Sequence, residues 1–131
     1  MKAAVRFYSR SGHTKMLADA LAEAVGVKAV SVDSPEAPLG EKADVLFIGG
    51  ALYAYGIDRH LKKYLSSLDA SKVGRAVVFS SASLSRHALD LIRKALEEKG
   101  IPVEDEMFFV KGKPDTSDLA DAKKFAAEIL G

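Results

Sequence analysis

The sequence predicts a doubly wound α/β fold, a parallel sheet with helices on both faces. Short apolar runs alternate with segments of helical periodicity along the whole chain. Two of the runs, Val45-Leu46-Phe47-Ile48 and Ala76-Val77-Val78-Phe79, are apolar at every position, which suits central strands covered on both sides. The segments between the runs are long enough for crossover helices of about 10–15 residues.

The first strand is expected over residues 3–8. The helix after it carries Leu17, Leu21 and Val25 at intervals of four, and Gly26 stands where a left-handed residue closes a helix. Residues 27–32 form a second strand; Lys28 and Ser31 within it suit a sheet edge. The link over residues 33–44 contains Pro35, Pro38 and Gly40 and offers at most a short helix. After the third strand, residues 45–48, a helix bears Leu61, Leu65 and Leu68, with Asp58 as its candidate N-cap. The fourth strand, residues 76–79, leads to a helix with Leu89, Ile92 and Leu96, bounded by Ser85 and Gly100. A fifth strand over residues 107–110 is flanked by charge, as an edge would be. Leu119, Ala122, Ala126 and Ile129 mark the last helix.

At 131 residues the chain is read as one domain, residues 1–131, since two halves would each be too small to bury a core. It has no cysteine, which excludes disulfides, thiolate nucleophiles, iron–sulfur clusters and Cys-ligated zinc. The three histidines are scattered without ligand spacing, so no metal is expected. A net charge of +1 gives no long-range attraction to nucleic acid. No apolar run approaches the roughly 18 residues of a membrane span. The first apolar segment is too short for a signal peptide, so a cytoplasmic location is expected.

Ligands of such sheets bind beyond the carboxyl ends of the strands, where the strand order reverses. The loop after the first strand reads Ser9-Arg10-Ser11-Gly12-His13-Thr14-Lys15. Gly12 permits close backbone approach, the hydroxyls of Ser9, Ser11 and Thr14 can donate, and a helix start attracts anions. By residue type alone, this is either a strand–helix turn ending in an N-cap or an anion cradle. Arg10, His13 and Lys15 favour the anion, although they suit solvent as well. A Walker loop, a Gly-x-Gly-x-x-Gly string and a nucleophile elbow are all missing. Ser80, Ser81, Ser83 and Ser85 with His87 could suggest serine hydrolysis, but Ser-rich loops normally cap helices and line pockets, so it is not expected. His60, Lys62 and Lys63 read as solvated, the lysines balanced by nearby acids.

Ser9-Arg10-Ser11-Gly12-His13-Thr14 resembles the phosphate loop of the flavodoxin family, Ser/Thr-x-Thr/Ser-Gly-x-Thr. Ile48-Gly49-Gly50-Ala51-Leu52-Tyr53-Ala54-Tyr55-Gly56 resembles the family's loop after the third strand, and Phe79-Ser80-Ser81-Ala82-Ser83 stands at its loop after the fourth. The resemblance implies a flavodoxin-like three-layer sandwich with a five-stranded parallel sheet in the order 2-1-3-4-5, binding FMN. It implies that Ser9, Ser11, Gly12, His13 and Thr14 hold the phosphate, with the Arg10 backbone. The isoalloxazine ring would lie between Ala51, Leu52, Tyr53, Ala54, Tyr55 and Gly56 on one side and Ser81, Ala82, Ser83 and Leu84 on the other. Tyr53 and Tyr55 are the candidate stacking partners, with Tyr53 favoured by loop spacing; the alternative is that they cap a core edge. Gly56 or Gly49-Gly50 would allow a peptide to rearrange beside the ring.

The function so implied is electron transfer through FMN between a reductase and a recipient protein, with no catalytic side chain required. The alternative is a small FMN-dependent oxidoreductase acting on a quinone, a tetrapyrrole or a similar planar acceptor. A non-redox binding module on the same fold is a third reading. The chain's near-neutral charge departs from the strong acidity typical of electron-shuttling flavodoxins.

Overall fold

A computed structural model of the chain describes residues 1–53, 56–82 and 86–131. Its elements run β1 (Ala3–Phe7), α1 (His13–Val25), β2 (Ala29–Ser31), β3 (Ala43–Gly49), β4 (Leu52–Tyr53), β5 (Gly56–Ile57), α2 (Arg59–Ser67), a 3-10 turn at Ala70–Lys72, β6 (Val73–Ala82), α3 (His87–Glu98), β7 (Phe108–Lys111) and α4 (Thr116–Leu130). Five strands form one sheet in the order β2-β1-β3-β6-β7, with parallel pairings throughout. Counted along the chain without the small β4–β5 ribbon, this is the expected 2-1-3-4-5. The strand order reverses between β1 and β3, so the crevice lies beyond Phe7 and Gly49.

The uninterrupted apolar strands are explained by two cores. Val45, Phe47, Val77 and Phe79 pack with Leu17 and Leu21 of α1 and Ala122 and Ala126 of α4. Leu46, Ile48, Ala76 and Val78 point the other way, onto Leu61 and Leu65 of α2 and Leu89, Ile92 and Leu96 of α3. Successive strand residues thus alternate between two buried faces, giving three layers. Among the described residues no helix is long and apolar enough to cross a membrane.

Several boundaries moved, each for a tertiary reason. β2 is shorter than expected because the Val27 N–H turns back to the Ala22 carbonyl at 3.0 Å and closes α1, behind Gly26 at φ 75°. β6 continues through Ser80, Ser81 and Ala82, which were expected in a loop. Both serine hydroxyls find backbone acceptors, Ser80 the Gly50 carbonyl at 2.6 Å and Ser81 the Gly112 carbonyl at 2.7 Å. The link over residues 33–44 forms turns rather than a helix. It is tied down at Ala37, whose carbonyl accepts from Arg6 Nε at 2.8 Å and from the Tyr64 hydroxyl at 2.7 Å. The Ser85 cap lies outside the described residues.

Gly49 and Gly50 have a packing role. A Cβ on Gly49 would stand 2.5 Å from the Phe79 ring and from its carbonyl oxygen, and one on Gly50 would stand 2.5 Å from Leu61. Because the Phe79 carbonyl belongs to the central ladder, it cannot yield cheaply. Gly49→Ala should therefore cost about 1–3 kcal/mol by overpacking. Gly40→Ala, where a Cβ meets nothing within 4 Å, serves as the neutral control. Equal thermal unfolding temperatures for the two variants would contradict this packing account.

Candidate functional site

The loop from β1 to α1 is built around a helix start that its own N-cap leaves open. Gly12 occupies the cap position at φ 92° and supplies no side-chain hydrogen bond. The Thr14 and Lys15 N–H groups have no acceptor among the described residues. Ser9 Oγ accepts from the Gly12 N–H at 3.0 Å and Ser11 Oγ accepts from the His13 N–H at 3.3 Å. Using their oxygens as acceptors leaves both hydroxyl protons free to donate to an anion. Thr14 is buried at the base of the loop and His13 is half-buried. Lys15 points elsewhere, pairing with Asp19 at 2.8 Å.

Arg10 reaches away from this cradle to the neighbouring wall. Its guanidinium pairs with the Asp58 carboxylate at 2.6 Å and lies 3.9 Å from the centre of the Tyr53 ring, covering one face. Its backbone N–H donates to the Tyr53 hydroxyl at 3.2 Å. Tyr53 closes the β4–β5 ribbon, whose Leu52 and Tyr53 pair with Ile57 and Gly56. Gly56 turns at φ 119°. Burial pushes the Tyr53 phenol up, against the pull of Arg10, so it stays neutral.

Asp58 joins these parts. It is 4% exposed and caps α2, accepting from the His60 N–H at 2.7 Å while its carboxylate also meets the His60 ring Nδ1 at 2.8 Å. Burial alone would raise its carboxyl. The hydrogen bonds from His60 and Arg10, with the Arg10 charge, overbalance burial and hold it below the usual range. The same contact with Asp58 holds the Arg10 guanidinium in its charged form. The His60 ring stacks on Tyr8, centroids 4.7 Å apart at 14°. The ring is thus held against the protein while its side chain stays 38% exposed.

Of the expected site residues, Ser9, Arg10, Ser11, Gly12, His13 and Thr14 are gathered at the start of α1, with Tyr53 brought against Arg10. Ala51 and Leu52 lead into Tyr53 and are part-buried. Ser81 and Ala82 stand at the carboxyl end of the adjacent β6, with the Ser81 hydroxyl turned to Gly112. Ala54, Tyr55, Ser83 and Leu84 lie outside the described residues. A cavity of about 410 Å³ opens beside Tyr53, lined by Arg10, Gly56, Asp58, Arg59 and Lys62. The joining role of Asp58, the Tyr8–His60 stack and the placement of Arg59 and Lys62 were not foreseen. In the sequence, Asp58 signals only a helix cap.

A family model described as Flavodoxin domain matches residues 4–129. None of the curated proteins compared by sequence matches the chain. Among solved structures, a flavodoxin from the domain Archaea superposes with a TM-score of 0.86 at 24% identity, over 98% of this chain and 96% of that one. Oxidised Flavodoxin 1 from Bacillus cereus gives 0.83 at 26% identity, over 99% and 97%. The rubredoxin oxygen:oxidoreductase of Desulfovibrio gigas gives 0.82 at 18% identity, this chain matching 36% of its length.

Proposed function

The chain belongs to the flavodoxin domain family, and from that premise we propose that residues 1–131 form one FMN-binding domain that carries electrons between a reductase and a recipient. The observation that carries this reading is the open start of α1. Two N–H groups without acceptors among the described residues and the protons of two serine hydroxyls lie there, at the switch point of the sheet. This donor set suits a phosphate dianion, which needs several donors and the positive end of a helix.

Ser9, Ser11, Gly12, His13 and Thr14, with the Arg10 backbone, would hold the phosphate. Ala51, Leu52, Tyr53, Ala54, Tyr55 and Gly56 would form one wall for the ring system, and Ser81, Ala82, Ser83 and Leu84 the other. Bound FMN supplies the redox chemistry, taking up and releasing one or two electrons. The chain's own part is to bind, orient and tune. Tyr53, kept neutral and held by Arg10, offers an electron-rich surface beside the flat ring. A cytoplasmic location accompanies the proposal.

The test starts with the purified protein, expected to be yellow or to quench the fluorescence of added FMN. A colourless preparation that leaves FMN fluorescence unchanged overturns the reading. Potentiometric titration of the loaded protein then separates carrier from enzyme. Two resolved one-electron steps support the carrier. A single two-electron step, with direct NAD(P)H oxidation by a quinone, assigns the oxidoreductase instead.

A further inference from the structure

Helix α2 carries charge that works against its own stability. Its sequence, Arg59-His60-Leu61-Lys62-Lys63-Tyr64-Leu65-Ser66-Ser67, holds three permanent cations and no acid. Arg59 is the first helical residue, where the positive end of the helix disfavours a cation. Lys62 and Lys63 follow it at i+3 and i+4, the spacings at which like charges on a helix repel. All three side chains are exposed.

The lysines were expected to be balanced by nearby acids, and they are not. Among the described residues, none of these three cations has a carboxylate within ion-pair distance. Each of the other long helices pairs at least one of its cations, Lys15 with Asp19, Arg93 with Glu97 and Asp105, and Lys123 with Glu23, whereas α2 pairs none of these three among the described residues. The acids around α2 do not offset it. Asp58 is buried and already paired with Arg10, while Asp33 and Glu98 share hollows with Lys63 and Lys62 without forming a pair. An arrangement that breaks local stability rules with no return inside the fold points to a use outside it.

The position of the cations indicates that use. Arg59 and Lys62 line the cavity beside Tyr53. Lys63 lies on the opposite flank of α2, in a hollow with Val32, Pro35 and Tyr64. The charge therefore spans both sides of a helix, wider than one small anion would touch but suited to a protein face. We propose that Arg59, Lys62 and Lys63 form a docking surface for the acidic face of a redox partner protein, set beside the mouth of the proposed FMN site. The proposal rests on the electron-carrier reading for its purpose, while docking itself is measurable without flavin. With a net charge of +1, attraction comes from this local patch rather than from the whole molecule.

An acidic two-iron ferredoxin, reduced beforehand, is the probe; one electron passes from its cluster to the oxidised FMN-loaded protein. In stopped flow, the second-order rate should fall at least about tenfold between roughly 20 and 300 mM NaCl, as screening removes the attraction. Lys62→Glu with Lys63→Glu should cut the low-salt rate about tenfold and flatten the salt dependence. The double variant should melt no lower than the wild type, since acids at i+3 and i+4 from Arg59 replace repulsion with attraction. Basic cytochrome c, as oxidant of the reduced protein, should show no such fall with salt.

Carbodiimide crosslinking of the flavin-free protein to the same ferredoxin gives the second measurement. Links through Lys62 and Lys63 support the proposal even if FMN loading fails, in which case only the carrier reading falls. Links spread over the other lysines, none at all, or a ferredoxin rate indifferent to salt and to the double variant would overturn it. Tight competition by citrate without crosslinks would assign the patch to small anions and overturn it equally.

Discussion

Gly12→Asp is expected to abolish FMN binding while leaving the protein folded. Gly12 holds φ 92° at the start of α1, and an added Cβ would meet nothing within 4 Å. Any side chain there carries only backbone strain, about 1–2 kcal/mol for an L residue in the left-handed region. Gly12→Ala should pay that strain alone and raise the FMN dissociation constant less than about tenfold. Gly12→Asp adds a negative charge against a phosphate dianion at the site of its donors, where like charges at about 4 Å repel strongly. A loss of affinity of at least about a hundredfold follows, with unfolding temperatures alike in the two variants. If the aspartate variant bound FMN as well as the alanine variant, the phosphate would lie elsewhere.

The second large effect is expected at Asp58. The carboxylate is buried, caps α2, and ties the first loop to the β4–β5 wall through Arg10. Removing it leaves the His60 N–H without its cap and frees Arg10 from the only carboxylate within reach among the described residues. Asp58→Ala should cost about 2–4 kcal/mol, from the lost cap and the unmade buried hydrogen bonds. The exposed Arg10 contributes little of that, because surface charge is screened. Asp58→Asn, which keeps the cap acceptor, should cost less and still loosen Arg10 from the wall.

The pH dependence follows from the depressed carboxyl. Asp58 holds its proton less readily in the folded protein than in the unfolded chain. Its contribution is therefore fully present above the unfolded value of about 4 and is lost as pH falls through the lower folded value. Wild type should lose stability across that acid window, and Asp58→Asn should lose less of it. Parallel stability curves for the two proteins below about pH 5 would refute the role given to this carboxylate.

Much of the frame was legible because it follows from local periodicity. Val45-Leu46-Phe47-Ile48 had to be covered on both faces, and β3 lies between β1 and β6 with successive residues in different cores. Asp58 as a helix cap, and Gly26 and Gly100 as left-handed helix ends, are properties of single positions. The first loop was legible as a donor set, and its open helix start agrees with that.

The unforeseen parts depend on contacts far apart in the chain. Arg10 and Asp58 are 48 residues apart, and neither signals the other. Ser80 and Ser81 resemble loop residues until the carbonyls of Gly50 and Gly112 take their hydroxyls. Strands of two residues, as in β4 and β5, are too short for an alternating pattern to show. The spacer role of Gly49 and Gly50 was not foreseen, because it depends on Phe79 and Leu61 passing close by.

Titration of the flavin-free protein with FMN and, separately, with riboflavin most directly tests the central claim that the first loop is a phosphate cradle. The two ligands share the ring system and differ in the phosphate. The account predicts one-to-one quenching of FMN, with riboflavin binding at least about a hundredfold more weakly, or about 2.7 kcal/mol. Equal affinity for the two, or no quenching of either, would contradict it.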